Sequence, residues 1–209
     1  MKKVLLVVYV VCASILFLSS CTPTIRFDLE PETEFAQHKI YIQQVADHRP
    51  VHERRGYKIF YVDSISDKDY ANGFLNEFKG GLGDGLGEHF LLVTDPSAAT
   101  FTLVVTVNHF YGEYSQTVKT VFWEYGTGLL LFIPRLVTDA ISYVAFAGRV
   151  AIDFEISTND GRTLKRSLDV TVTDDVPPYT RGSASTASRL SKAASKEITQ
   201  IFTEVLREI

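Results

Sequence analysis

Several stretches of the chain alternate apolar and polar residues at period two, and two others repeat apolar residues every three to four positions. The first pattern marks strands with one buried face, and the second marks amphipathic helices. Residues 39–45 place Ile40 and Ile42 on one face and predict a first strand. Residues 57–62, rich in aromatic and β-branched side chains, predict another. Residues 91–94 and 100–111 predict two more, separated by an Asp95-Pro96 turn. In the longer one, Phe101, Leu103, Val105, Val107 and His109 fall on one face, with Thr100, Thr102, Thr106 and Asn108 on the other. That is the pattern of an antiparallel strand with one face solvated. Residues 149–157 turn Val150, Ile152, Phe154 and Ile156 inward, and Asn159-Asp160-Gly161 is a hairpin turn. Leu164, Leu168, Val170 and Val172 return on the next strand, which Val176-Pro177-Pro178 ends.

Ser66 and Asp69 stand three apart, as in a capping box, and predict a helix start. Phe74, Phe78, Leu82, Leu86 and Phe90 then recur every four residues. Gly80, Gly81, Gly83, Gly85 and Gly87 interrupt the same stretch. Each costs a helix up to about 1 kcal/mol relative to Ala, so packing has to hold this helix, and a partner backbone is expected to approach it closely. From about residue 185, Ala187, Leu190, Ala194, Ile198, Ile201, Phe202 and Val205 predict an amphipathic C-terminal helix. Together these elements predict an α+β fold: a two-layer sandwich with a mostly antiparallel sheet, two amphipathic helices on one face, and an apolar helical or hairpin insert at 121–148.

The N-terminal region has a different character. Lys2 and Lys3, the apolar run 4–18 and the small residues Ser19 and Ser20 make a secretory signal peptide. The run is shorter than the roughly 20 residues a membrane span needs. Residues 22–37 contain Pro23, Pro31 and several acids with little periodicity, and read as a tether. The expected organisation is a signal peptide at 1–20, a lipidated Cys and tether at 21–38, and one α+β domain at 39–209. Leu18-Ser19-Ser20-Cys21 resembles the bacterial lipobox. The resemblance implies cleavage after Ser20 and acylation of Cys21. A single acyl chain binds a membrane reversibly and several anchor it stably. Thr22, in place of the Asp that favours inner-membrane retention, implies sorting to the outer membrane, facing the periplasm.

The formal net charge is -4, and loss of Lys2 and Lys3 takes it to -6, which does not suit nucleic-acid binding. The only cysteines are Cys12 and Cys21, so the mature chain has no thiol chemistry once Cys21 is acylated. No nucleophile or metalloprotease motif is present, and no cofactor or enzyme activity is expected. The third glycine of a nucleotide loop would fall on Leu86, and no Gly-Lys-Ser/Thr follows. His48 and His52 have helical metal-ligand spacing, but Pro50 lies between them and no metal site is expected.

Asp47 and Arg49 project to one side of an extended chain, to clasp a turn or to read a charged partner. His48, Arg49, His52, Arg54, Arg55 and Lys58 form a basic cluster whose one acid is Glu53. Arg49, Arg54 and Arg55 are candidate anion contacts, for phosphorylated lipid heads or anionic glycans; the alternative is a solvated loop. Residues 121–148 are the most apolar part of the domain. Arg135, Asp139 and Pro134 make them a poor membrane span. Leu129, Leu130, Leu131, Phe132 and Ile133 are consecutive, so no single face buries them all. With Trp123 they are candidate contacts for a partner or for lipid. A helix buried against the sheet, an oligomer contact and a loop dipping into the membrane interface are the three readings.

The lipobox, a first strand running into Val45-Ala46-Asp47-His48-Arg49-Pro50, a helix, a long hairpin and a final helix resemble the YajG-like lipoproteins, which carry a strand ending in an Asp-x-Arg element. More distantly the layout resembles the lipopolysaccharide-assembly lipoprotein LptE and the periplasmic domain of the curli secretion lipoprotein CsgG. The resemblance implies a non-enzymatic envelope lipoprotein that binds: an accessory or scaffold in envelope assembly or transport, partnered by an envelope protein or a second copy. A subunit of an oligomeric secretion or pore complex is the alternative, and a lipid-anchored enzyme a third.

Overall fold

The computed structural model describes residues 22–30, 37–59, 62–116, 144–176 and 182–208. In chain order the elements are β1 (Lys39–Asp47), α1 (Val51–Arg55), β2 (Lys58–Ile59), β3 (Val62–Ser64), α2 (Phe74–Gly87), β4 (Leu91–Leu92), β5 (Phe101–Gln116), β6 (Val144–Thr158), β7 (Thr163–Val176) and α3 (Ser183–Glu208). The seven strands form one sheet. β5, β6 and β7 pair antiparallel along their whole lengths. On its other side β5 pairs first with β1 and then, near its end, with β3.

The sheet is not the simple antiparallel layer that alternation suggests. β1 runs parallel to both of its neighbours, β4 and β5. Parallel neighbours need a crossover, and α2 supplies it between β1 and β4. Both hairpin strands are longer than expected, and residues 144–148 of the anticipated insert belong to β6, with Val144 and Phe146 buried. The expected strand at 91–94 shortens to two residues. The expected helix start also moves. Ser66 and Asp69 do close on each other, with Asp69 Oδ2 accepting from Ser66 N at 2.7 Å and from its hydroxyl at 2.8 Å. They cap a 3-10 turn at Asp67–Asp69, and Gly73 with φ +79° redirects the chain before α2 begins.

The core lies on one face of the sheet. Phe74, Phe78, Leu82 and Leu86 of α2 and Leu190, Ala194, Ile198, Phe202 and Val205 of α3 meet the inward residues of β5 and β6. Phe78 lies edge-on to Phe110 at 6.0 Å, and Phe202 contacts Phe90 at 5.5 Å and Phe154 at 6.2 Å. α3 packs closely on the sheet where Gly112 faces Gly148 across the β5–β6 pair. A Cβ on Gly148 would stand 2.6 Å from a Leu190 methyl.

The largest departure from the sequence reading concerns residues 22–30, expected as tether. They run extended with every second side chain buried: Pro23, Ile25, Phe27 and Leu29 face inward. Ile25 and Phe27 are each 1% exposed and join the same core as the helices. The glycines of α2 make this possible. The Ile25 carbonyl sits in the notch at Gly81, where a Cβ would stand 2.1 Å from its oxygen, and the Phe27 carbonyl sits at Gly85, at 2.3 Å. Phe27 packs edge-on against Phe78 at 5.3 Å. The Leu29 carbonyl lies 2.8 Å from His89 Nε2, and Glu30 N–H donates to Thr199 Oγ1 of α3 at 3.2 Å. The segment therefore threads the space between the two helices. No helix of the described residues is long and apolar enough to cross a membrane.

Candidate functional site

β1 leads directly into the loop that the sequence marks as basic, and the structure divides its charges into two groups. Asp47 Oδ1 accepts from Arg49 N and from Nε, both at 3.0 Å, and Oδ2 accepts from Nη2 at 2.9 Å. The same Nη2 donates to Asp67 Oδ1 at 2.7 Å. The guanidinium lies 3.3 Å over the Phe74 ring, and the side chain is 1% exposed. Arg49 is thus a clasp between β1, the 3-10 turn and α2, and no anion from outside reaches it. This corrects its assignment as an anion contact: two carboxylates and a ring already occupy the guanidinium. Burial by itself would raise the Asp47 pKa, but the hydrogen bonds and charge of Arg49 outweigh it and hold the carboxyl below its ordinary value.

Arg54 and Arg55 behave differently. Pro50 precedes α1 as its N-cap residue. Its turns leave His52, Arg54 and Arg55 exposed beside exposed His48. Glu53, the acid within the cluster, is buried at 5% exposure and points into the sheet. The outer surface of α1 is therefore more basic than the sequence alone suggests. Lys58 lies in β2, outside the described side chains.

Beneath α1 lies the polar outer face of the sheet, whose residues beyond Val107 sequence reasoning did not place. His109 was expected inward with Val107. The β5–β6 pairing shifts register between Val107 and His109, so the bulge turns His109 outward and Phe110, Gly112 and Tyr114 inward. His109 Nδ1 meets Glu53 Oε1 at 2.5 Å, and Glu53 Oε2 is buried without a hydrogen-bond partner among the described residues. Further along, Glu113 Oε2 accepts from the Tyr111 hydroxyl at 2.6 Å and also from Tyr57. Burial and then this hydrogen bond push the Tyr111 phenol well above its ordinary pKa, so it stays protonated. Arg149 forks onto Asp169 at 2.9 and 2.6 Å. These groups partner one another as structural ties. The signal available in the sequence was the alternation of His109, Tyr111 and Glu113, but its phase depends on the bulge.

The Glu53–His109 tie makes a direct prediction. His109→Leu leaves the Glu53 carboxylate buried with no partner and is expected to lower stability by about 1–3 kcal/mol, whereas His109→Gln, which keeps a donor, should lose less. Urea unfolding checks this. Equal loss from both substitutions would show that shape, not the hydrogen bond, matters.

Other candidates sort quickly. The glycines of α2 cradle chain backbone, not phosphate. A surface cleft of about 400 Å³ between β1, α2 and the end of β4 is lined by Tyr41, Ile42, Lys79, Gly83, Leu92 and Thr94 among others. It is mainly apolar, with one ammonium at its rim. Trp123, Leu129, Leu130, Leu131, Phe132 and Ile133 lie outside the described residues. β5, which precedes them in the chain, and β6, which follows them, are paired as far as Gln116 and Val144. The described residues hold no group of three His, Cys, Asp or Glu side chains placed for a metal ion.

No protein-family model matches the chain, and no curated protein matches it. Among solved structures, a Xanthomonas campestris protein of family DUF330 is similar at 14% identity and a TM-score of 0.39, over 88% of this chain and 90% of that one. The lipoprotein GNA1162 from Neisseria meningitidis is similar at 7% identity and a TM-score of 0.34, over 81% of this chain and 99% of that one. At these TM-scores neither likeness assigns the chain to a family.

Proposed function

We propose that this chain is a lipid-anchored lipoprotein of the outer membrane, facing the periplasm, that acts by binding as an accessory or scaffold in envelope assembly or transport. The observation that carries the reading is Leu18-Ser19-Ser20-Cys21, with a folded domain whose first buried residue, Pro23, follows two positions later. The Asp47-x-Arg49 element at the end of β1 adds to the resemblance to YajG-like lipoproteins, as a structural clasp. Contact surfaces on this reading are the exposed cations of α1 and the apolar residues of the insert, toward an envelope protein or a second copy. A subunit of a secretion or pore assembly is the second reading. What favours it is the β5–β6 hairpin, with strands of 16 and 15 residues leading into the insert.

Cys21→Ser is the test of the anchor. The expected result is release from the membrane fraction or accumulation of uncleaved precursor. Normal processing and membrane fractionation of the variant would sink the reading.

A further inference from the structure

β1 has one edge that its neighbours leave open. On one side it pairs with β5 from Ile40 to Asp47, and on the other with β4 only at Lys39 and Ile40. The backbone groups of successive residues in a strand point to its two edges in alternation. The Lys39 carbonyl accepts from Thr100 N–H at 2.7 Å on the β5 side, and the Ile40 carbonyl accepts from Val93 N–H at 2.9 Å on the β4 side. Ile42 therefore points as Ile40 does, away from β5. At the far end His48 N–H donates to the Val107 carbonyl at 2.9 Å, which turns Asp47 and Val45 away from β5 as well. The register shift between Ile42 and Gln44 reconciles the two ends. Among the described residues, no strand reaches the outward N–H and C=O groups of Ile42 and Val45.

This open edge borders the cleft of about 400 Å³, which begins where β4 stops and has α2 as its second wall. Gly83 brings no side chain to that wall, and a Cβ there would meet only a Leu92 methyl, at 4.0 Å. Half-buried Ile42 and exposed Leu92 supply apolar surface. Lys79 is exposed and is the one charged group among the described lining residues.

We propose that this cleft takes an extended peptide segment of a partner protein, added to the sheet as a strand beside β1 in line with β4. An apolar side chain of the segment would lie on Ile42 and Leu92, and a carboxylate would meet Lys79. Outward backbone donors and acceptors on a strand edge are matched by another strand and not by an acyl chain. The site also continues a row of pairing that β4 has begun. A lone ammonium with no acid in the described lining complements an anionic group. The surface requires no acylation of Cys21, so it stands independently of the anchor.

A library of linear peptides of about ten residues, with free C termini, is panned against the purified full chain. Enriched peptides are then synthesised with a fluorophore, and their binding is measured by polarisation. Enrichment of sequences that combine a β-branched or aromatic residue with a carboxylate is expected. Gly83→Leu, which fills the cleft, and Lys79→Glu, which reverses its charge, should each weaken binding by about tenfold or more. Gly80→Ala, whose Cβ meets nothing within 4 Å, should leave it unchanged. N-methylation of alternate peptide amides should abolish binding in one phase and be tolerated in the other, because only one set of N–H groups faces β1. Neutralising the carboxylate, by C-terminal amidation or by changing an acidic side chain to its amide, should weaken binding as Lys79→Glu does, and the change that does so names its source. Absence of enrichment, binding that both cleft variants leave intact, or equal sensitivity to the two N-methyl phases would overturn the proposal. So would a cleft that takes dodecanoate in preference to every peptide, or a dimer of the chain closed through this edge.

Discussion

Replacing both Gly81 and Gly85 by leucine should detach residues 22–30 and lower the stability of the domain by about 5–9 kcal/mol. The Cβ positions stand 2.1 and 2.3 Å from the carbonyl oxygens of Ile25 and Phe27, so the side chains and the segment cannot share the space. Losing the burial of Ile25, Phe27 and Leu29 costs about 1.5–3 kcal/mol for each side chain. Leucine in place of glycine favours a helix by less than about 1 kcal/mol per position, far too little to compensate. Since a domain of this size is stable by about 5–15 kcal/mol, the double variant should be close to unfolded. Gly80 is the control. A Cβ there meets nothing within 4 Å, so Gly80→Ala should stabilise by about 0.5–1 kcal/mol. Urea unfolding, with tryptic cleavage after Arg26 as a second readout, separates the cases. A double variant that melts like the wild type, with Arg26 still protected, would mean that the segment is dispensable.

Arg49→Met should cost about 3–5 kcal/mol at neutral pH, because it leaves the Asp47 carboxylate in a largely buried place without its partner. The variant keeps the length and apolar stem of arginine, so the loss reports charge more than volume. Its pH dependence has a definite sign. In the wild type the Asp47 carboxyl is held below its ordinary value, so its contribution is full above about pH 4 and fades as pH falls through the lowered pKa. Without the guanidinium, burial is opposed only by the residue-49 backbone N–H and the charge of Arg54, so the pKa rises relative to the wild type, and acidification relieves the variant while it weakens the wild type. The difference in unfolding free energy between the two should therefore shrink from pH 7 toward pH 3. A constant difference would place the cost in lost packing over Phe74 instead.

The same residues show where sequence reasoning reaches and where it stops. The period-two and period-four patterns found β5, β6, β7, α2 and α3, because each is set by side chains a few positions apart on one element. The glycines of α2 also gave the right expectation of a close partner backbone. What they could not name was the partner. The alternation at residues 22–30 is short and sits between prolines, and its burial depends on notches in a helix some 55 residues later. The face of His109 turned on a bulge that exists only in the pairing of β5 with β6. The parallel placement of β1 depends on a contact between residues 40 and 101.

Arg49 and Arg54 make the division plain. As sequence they are the same residue type in one basic run. One is closed in by Asp67 and Phe74, which arrive from later in the chain, and the other remains in solvent. By itself the sequence determined the apolar stripes of α2 and α3, the inward face of β6 and the Asn159-Asp160-Gly161 turn, since local geometry and chemistry suffice for those. Tertiary structure decided which charges are buried, which glycines are contacts and that residues 22–30 pack into the core. Those outcomes depend on which distant segments share a space, and local periodicity carries no record of that.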